Sequence, residues 1–246
     1  GMKFASLFSD HAILQRGISV PVWGWAKPNA SVVVTMDGHR AESLSGNDGK
    51  FLVRLSPMKE GGPFTLKAEC EGESCKATDV WVGEVWLASG QSNMGFTVQD
   101  LANEAVEKEI AGLDSIRMIM IPNRSFGGGR QTDTNAEWEL PKDGADKFSA
   151  VGAYFAKALA EKLGVKVGII CNALGGTIIE AWTSREALVG NPDQRAKVLT
   201  YEEKAFSKEF WKNRSEIQSS EKGSFPADPG NEGFGKGWAK ADFNDA

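Results

Sequence analysis

The 246-residue chain predicts a mixed α/β protein in which a small N-terminal β-sandwich precedes a mostly parallel sheet with helices on its faces. Three observations carry that expectation. From Ala5 to about Asp79, short alternating apolar runs are separated by turn signals and no helical period appears. After Val80, strand-like runs alternate with helical patterns, the order that yields parallel strands joined by crossover helices. Finally, a serine with Gly90 two residues before it follows the apolar run Val82 to Ala88, at the strand end where open α/β sheets gather ligands.

In the first segment, Val32-Val33-Val34-Thr35 leads into Asp37-Gly38, and Phe51-Leu52-Val53-Arg54-Leu55 follows Asn47-Asp48-Gly49. Phe64-Thr65-Leu66-Lys67-Ala68 follows Gly61-Gly62-Pro63. Each run is bounded by residues that accept a tight turn, and the segment has the length of a compact immunoglobulin-like module, which places a first domain at 1–79. Cys70 and Cys75 flank Glu71-Gly72-Glu73-Ser74, which reads as a hairpin loop. Two cysteines facing each other across the strands and two separate half-buried thiols both fit that spacing.

Beyond Val80, Ile116 to Ile121 reads as a short apolar strand ended by Pro122. Phe148, Val151, Phe155, Leu159 and Leu163 recur at helical spacing and Gly164 can cap the end, predicting an amphipathic helix with that stripe as its apolar face. Val165 to Cys171 reads as a second buried strand and leads into Asn172-Ala173-Leu174-Gly175-Gly176-Thr177. Asn191 to Ser219 is charge-rich and reads as an exposed helix. From Ser220 the composition shifts to Gly, Pro and Asp, which divides the remainder into 80–219 and 220–246. The last stretch, with Trp238 and Phe243, is either the opening of an element continued elsewhere or a frayed tail.

A net charge of −5, a pI near 5.3 and the lack of any basic stripe argue against nucleic acid or anionic lipid as a partner and for a small or neutral molecule. No apolar run is long enough to cross a bilayer, and Gly1-Met2-Lys3-Phe4-Ala5 lacks a signal-peptide core. Gly1 ahead of Met2 reads as a cloning remnant, so location stays open. Three cysteines and two histidines provide neither a disulfide framework nor a zinc-binding spacing, so metal catalysis is not expected.

Gly90-Gln91-Ser92-Asn93-Met94 carries the chemistry. Glycine lets the chain turn sharply and leaves room for a substrate, while backbone N–H groups in the turn can face an oxyanion, an arrangement suited to acyl transfer at Ser92. The same five residues also compose an ordinary polar strand-to-helix turn.

Several stretches in order resemble one family. They are Leu7-Phe8-Ser9-Asp10 with Leu14-Gln15-Arg16, Val22-Trp23-Gly24-Trp25-Ala26, Gly83 through Met94, Phe148-Ser149-Ala150-Val151-Gly152, and Gly175-Gly176-Thr177 with Ile179 through Ser184. Together they resemble the sialate O-acetylesterases, carbohydrate esterases of the wider SGNH hydrolases. The resemblance implies that the second segment is an SGNH-type three-layer α/β/α domain, incomplete in this chain. It implies Ser92 as nucleophile, an oxyanion hole from the N–H of Ser92 with Gly175 or Gly176, substrate binding by Gln91 and Asn93, and no cofactor. Glu180 and Trp182 match residues near the family's site, although a helix-start acid and a core tryptophan explain them equally. The implied substrate is an O-acetylated sugar, sialic acid first and acetylated plant polysaccharide next, and the implied location is periplasmic or secreted. Trp23, Trp25, Trp86, Trp138 and Trp182 either stack on sugar faces or pack.

The chain departs from the family where the base should be. A serine hydroxyl needs a proton acceptor, commonly a histidine oriented by a carboxylate. Only His11 and His39 exist, in the N-terminal segment, and the family's C-terminal Asp and His and its Gln-Gly-Glu-Ser-Asn stretch do not occur. Gly233 to Asp245 resembles the start of a β-sandwich that the family inserts into its esterase domain. Three readings follow: the N-terminal part of a larger esterase, with the base from a C-terminal portion or self-association; a catalytically inactive carbohydrate-binding module; or a structural module without sugar chemistry. In the first, an unfinished parallel sheet would expose an edge that calls for a partner.

Overall fold

The computed structural model describes residues 1–122 and 131–205. The expected features at 206–219 and 220–246, including Trp238 and Phe243, lie outside the described residues. The chain divides into two units, Gly1–Trp182 and Thr183–Ala246.

The first unit holds the strands β1 (Lys3–Phe4), β2 (Ile13–Gln15), β3 (Val20–Trp25), β4 (Ser31–Met36), β5 (His39–Leu44), β6 (Lys50–Leu55), β7 (Gly61–Cys70), β8 (Glu73–Gly90), β9 (Ile116–Met120), β10 (Trp138–Glu139) and β11 (Val167–Ala173). Its α-helices are α1 (Ser92–Gly95), α2 (Glu104–Ala111), α3 (Pro141–Gly144) and α4 (Ala150–Leu163). Strands β1, β3 and β6 form an antiparallel sheet. The rest form one larger sheet in the order β10-β9-β11-β8-β7-β4-β5, with β2 also paired to β8. Alternation explains the division: Val20, Val22, Phe51, Val53 and Leu55 of the small sheet and Val32, Val34, Leu66 and Ala68 of the large one point into a single apolar core.

β8 runs without interruption through the boundary expected near Val80. Its first part pairs antiparallel with β7, from Cys70 opposite Glu73 to Gly61 opposite Val82. From Glu84 to Gly90 it pairs in parallel with β11, which pairs in parallel with β9. One strand therefore belongs to both the antiparallel and the parallel halves of the sheet.

One open alternative is resolved, in favour of separate thiols, and one expectation needs correction. Cys70 and Cys75 are free thiols that do not face each other: the turn is only Glu71-Gly72, both at positive φ, so Cys70 lies opposite Glu73 and Cys75 opposite Ala68. Burial pushes the Cys75 thiol up to about 11. The helix over 150–163 forms as predicted, with Ser149 as its N-cap and Gly164 in the left-handed conformation at its end. Its sheet-facing side, however, is small: Ala150, Gly152, Ala153, Ala156 and Ala160 are buried, whereas Val151, Phe155 and Leu163 are exposed. Small residues let the helix axis approach the sheet closely, so the larger apolar stripe points elsewhere.

A second core forms between α4, α2 and one face of the parallel strands, from Ala88, Ile110, Ile116, Met118, Phe148, Val167, Ile169 and Cys171 with the α4 alanines. In the second unit, α5 (Arg185–Gly190) and α6 (Pro192–Ala205) are linked by Arg185, whose Nη2 donates to Glu202 Oε2 at 2.8 Å. Helix α6 covers the described part of the helix expected over 191–219.

Candidate active site

The end of β8 and the end of β11 lie side by side because the two strands are parallel and in register, with Ala173 opposite Gly90. The backbone N–H of Leu174 donates to the Gly90 carbonyl at 2.9 Å and locks the two ends together. Gly90 has φ +144°, a conformation that favours glycine, and Gln91 is extended before Ser92 opens α1.

The loop after β11 then folds back onto the serine. A Cβ built on Gly175 would lie 3.3 Å from Ser92 Cβ and 3.7 Å from its Cα, so only a glycine backbone fits against Ser92 without displacement. Gly176 follows at φ +74°. Three side chains brace this turn. The Gln91 amide Nε2 donates to the Thr177 carbonyl, Thr177 Oγ1 donates to the Leu174 carbonyl at 2.8 Å, and Trp182 Nε1 donates to Thr177 Oγ1 at 2.8 Å.

From below, Ser149 fixes α1. Its Oγ donates to the Met94 carbonyl at 2.7 Å while accepting from the Gly152 N–H at 3.0 Å, so the N-cap of α4 also holds the segment after Ser92. Backbone bonds from Ala150 N–H to Phe96 O and from Val98 N–H to Phe148 O, both 2.9 Å, continue the attachment.

Ser92, Gly175 and Gly176, three of the residues singled out from sequence, thus meet at one exposed point. Asn93 is exposed beside them, and neither it nor the Ser92 hydroxyl has a hydrogen-bond partner among the described residues. Gln91 is committed through its amide nitrogen to the glycine turn. Glu180 lies half-buried in the helical turn Ile179–Trp182. Sequence reasoning missed Ser149 and Thr177 as braces. The signals were present: a serine just before a helical period, and a threonine directly after the glycine pair.

Both histidines are engaged elsewhere. His11 Nδ1 lies 2.7 Å from Asp79 Oδ2, and Trp81 Nε1 donates to Asp79 Oδ1 at 2.9 Å. Arg117 donates to the His11 carbonyl at 2.8 Å, to the Asp79 carbonyl at 2.6 Å and to Asp79 Oδ2 at 2.9 Å. Burial pushes the Asp79 carboxyl upward, but the bonds from His11 and Trp81 and the Arg117 charge outweigh it and hold the group below its ordinary value. Asp79 and Gly90 are eleven strand residues apart on β8, and at roughly 3.3 Å of rise per residue that is about 30 Å or more. His39 opens β5, with Nδ1 2.7 Å from Ser56 Oγ.

Among the tryptophans, Trp138 is buried, with Nε1 donating to the Leu7 carbonyl at 2.9 Å. Trp23 Nε1 donates to the Thr132 carbonyl at 2.8 Å, and Trp25 lies under Lys3. Trp182 serves the glycine turn, and Trp86 meets Phe155 edge-on at 5.2 Å.

Comparison with known proteins supplies the family context. Residues 82–207, about half of the chain, match a family model described as carbohydrate esterase, sialic acid-specific acetylesterase. Sialate O-acetylesterase of Rattus norvegicus is 33% identical over 227 residues, covering 79% of this chain and 40% of the relative. The Homo sapiens protein of the same name is 32% identical over 208 residues, covering 76% of this chain and 40% of the relative. A crystal structure of a carbohydrate acetylesterase from Xanthomonas citri superposes with a TM-score of 0.70 at 35% identity, over 79% of this chain and 45% of that one. The chain spans about two fifths of the length of the curated relatives it matches.

Proposed function

Because the chain belongs to the carbohydrate esterase family of sialic acid-specific acetylesterases, we propose that Ser92 is the nucleophile of an esterase that removes O-acetyl groups from sugars. The observation that supports this most directly is the seating of the Gly175 backbone against Ser92 at the shared end of two parallel strands. In the proposed reaction Ser92 Oγ attacks the acetyl carbonyl and its proton passes to a base. The tetrahedral oxyanion is held by the N–H groups of Ser92 and of Gly175 or Gly176. Collapse releases the sugar hydroxyl and leaves an acetyl-enzyme, which water hydrolyses to acetate. Each oxyanion donor contributes roughly a hundredfold to a thousandfold in rate. Asn93 binds the substrate, and Gln91 adds its free Oε1 while its Nε2 braces the turn.

The base comes from outside the described residues, since His11 and His39 are both bonded elsewhere. We assign it to a C-terminal portion of a longer esterase. On this reading residues 1–79 are a β-sandwich, 80–219 an incomplete SGNH-type α/β/α domain, and 220–246 the start of an inserted sandwich. Sialic acid is the first substrate choice, and acetylated xylan the competitor within the same chemistry. The engagement of both histidines favours one second reading, in which this chain alone binds acetylated glycan without hydrolysing it.

The test is acetate release from O-acetylated sialic acid and from acetylated xylan, by this chain and by the longer polypeptide, each with Ser92→Ala beside it. Turnover by the longer protein that vanishes in Ser92→Ala supports the esterase. Turnover that survives Ser92→Ala refutes Ser92 as the nucleophile. Glycan binding by this chain without acetate release establishes the second reading.

A further inference from the structure

The outer face of the three-stranded sheet gathers charge of one sign around aromatic and apolar surface. Lys3 lies opposite Trp25, Trp25 opposite Lys50, Trp23 opposite Leu52, and Pro21 opposite Arg54. Opposed residues of antiparallel strands share a face, and since Val22, Phe51 and Val53 fill the core, these side chains point away from it. The chain carries a net charge of −5, yet β1, β3 and β6 contain Lys3, Lys50 and Arg54 and no acid.

The cations of this face are not matched as they are elsewhere. On the exposed side of the large sheet Arg40 pairs with Glu42 at 2.8 Å and Lys67 with Glu69 at 2.7 Å. Neither Lys50 nor Arg54 has an ion-pair partner among the described residues. Lys3 stands 4.8 Å from the centre of the Trp25 ring and 3.5 Å from Asp133 Oδ2. Asp133 also accepts the Ser6 N–H at 2.7 Å, and Asp48, just before β6, accepts the Lys50 N–H at 3.0 Å. Trp23 is tied to the Thr132 carbonyl, which leaves the half-buried Trp25 and the 49% exposed Leu52 as the apolar floor between the cations.

We propose that this face, Trp25 and Leu52 between Lys3, Lys50 and Arg54, binds an acidic saccharide chain at a site separate from Ser92. Unmatched cations attract carboxylates, and a tryptophan face with a leucine beside it suits the apolar face of a sugar ring. Lys50 and Arg54 are four residues apart on one strand, roughly 13 Å, which a single monosaccharide does not span. The saccharide part of the assignment rests on the carbohydrate esterase family to which the chain belongs, and no part of it rests on the chemistry at Ser92. The sequence conceals the grouping, because its cations come from the first and last strands of the sheet and meet only through register.

Titration of this chain with polysialic acid tests it, beside dextran as a neutral saccharide and polyglutamate as an acidic chain without sugar rings. Polysialic acid should bind, more weakly as salt rises, and at least about tenfold more tightly than either control. Lys50→Glu and Arg54→Glu should each weaken binding at least about tenfold, whereas Arg40→Glu, the same charge change on the large sheet, should alter it by less than about twofold. Trp25→Leu should also weaken it; should that variant fail to fold, the Lys50 and Arg54 variants decide, since their side chains lie outside the core. Absence of polysialic acid binding, equal binding of dextran or of polyglutamate, or equal loss in Arg40→Glu each overturns the proposal. Binding should be unchanged in Ser92→Ala, and its loss there would place the saccharide at the serine and overturn a separate site. Acetate release without polysialic acid binding on this face would count against the proposal alone, and binding here without Ser92-dependent release against the esterase reading alone.

Discussion

Arg117→Leu is the substitution whose cost follows most directly from the structure. The Arg117 side chain is 2% exposed and reaches from β9 to the antiparallel half of the protein, donating to two backbone carbonyls and to the Asp79 carboxylate. Leucine fills part of the volume but leaves the three acceptors without their donor. Removing one partner of a buried ion pair costs about 3–5 kcal/mol, and because Asp79 is one-third exposed and keeps His11 and Trp81, the low end of about 3 kcal/mol applies. For a chain of this size that lowers the thermal midpoint by about 6–12 °C. Arg117→Lys keeps the charge but cannot reach all three acceptors, and should lie between. The pH dependence has a definite sign. Asp79 is held below its ordinary value in the folded protein, so its stabilising contribution is full above the unfolded pKa and is lost as pH falls through the lower folded one. Without Arg117 the folded value rises towards the unfolded one, so this contribution is smaller and the midpoint falls less on acidification than in the parent. Calorimetric midpoints across the acid range measure both effects. A midpoint lowered by less than about 2 °C, equivalent to under about 1 kcal/mol, would show that the arginine contributes no more than a surface pair.

Three further outcomes are expected. Ala156→Leu, on the fully buried face of α4, should cost about 1–3 kcal/mol by overpacking, more than Phe155→Ala on the half-exposed stripe of the same helix, as read by chemical denaturation of this chain. On the esterase reading, Gly175→Ala should reduce kcat of the active enzyme at least about a hundredfold, comparable to loss of an oxyanion donor, because the added methyl must displace Ser92 by a few tenths of an ångström. Trp182→Phe removes the donor to Thr177 Oγ1 and should lower kcat about tenfold with little change in KM, the size of one hydrogen bond that positions the glycine turn.

The order of strands was legible in the sequence because alternation and turn residues are local properties. Val32 to Thr35, Phe51 to Leu55 and Phe64 to Ala68 fall inside β4, β6 and β7, and the serine turn falls at the end of β8. What sequence could not reveal was set by tertiary contact. The α4 stripe of Val151 and Phe155 has the period of a core face, yet alanines one position away face the sheet, since period fixes which residues share a side and not which side is covered. The strand 116–120 read as apolar conceals Arg117, which becomes a joint only because β9 lies where His11 and Asp79 converge. Ser92 and the glycine pair were recognisable as pieces; their contact depends on register between strand residues 83 positions apart in sequence, Gly90 opposite Ala173, which no local pattern records.

The placement of His11 and Asp79 shows why residue types alone would mislead about this site. A histidine 2.7 Å from a carboxylate is the pair that activates a serine, and both are on or beside β8, the strand that ends at Ser92. Their other contacts decide the matter. Asp79 is further bound by Trp81 and Arg117, and Arg117 also takes the His11 carbonyl, so the cluster ties β9 to the antiparallel half of the sheet. Both His11 and Asp79 hold left-handed backbone conformations, at φ 67° and 53°, which local bonding of this kind sustains. The length of β8 separates this pair from Ser92, and the only way for the pair to serve that serine would be to break the joint. On the esterase reading, the base for Ser92 therefore has to approach from the other end of β8, where the glycine turn is braced.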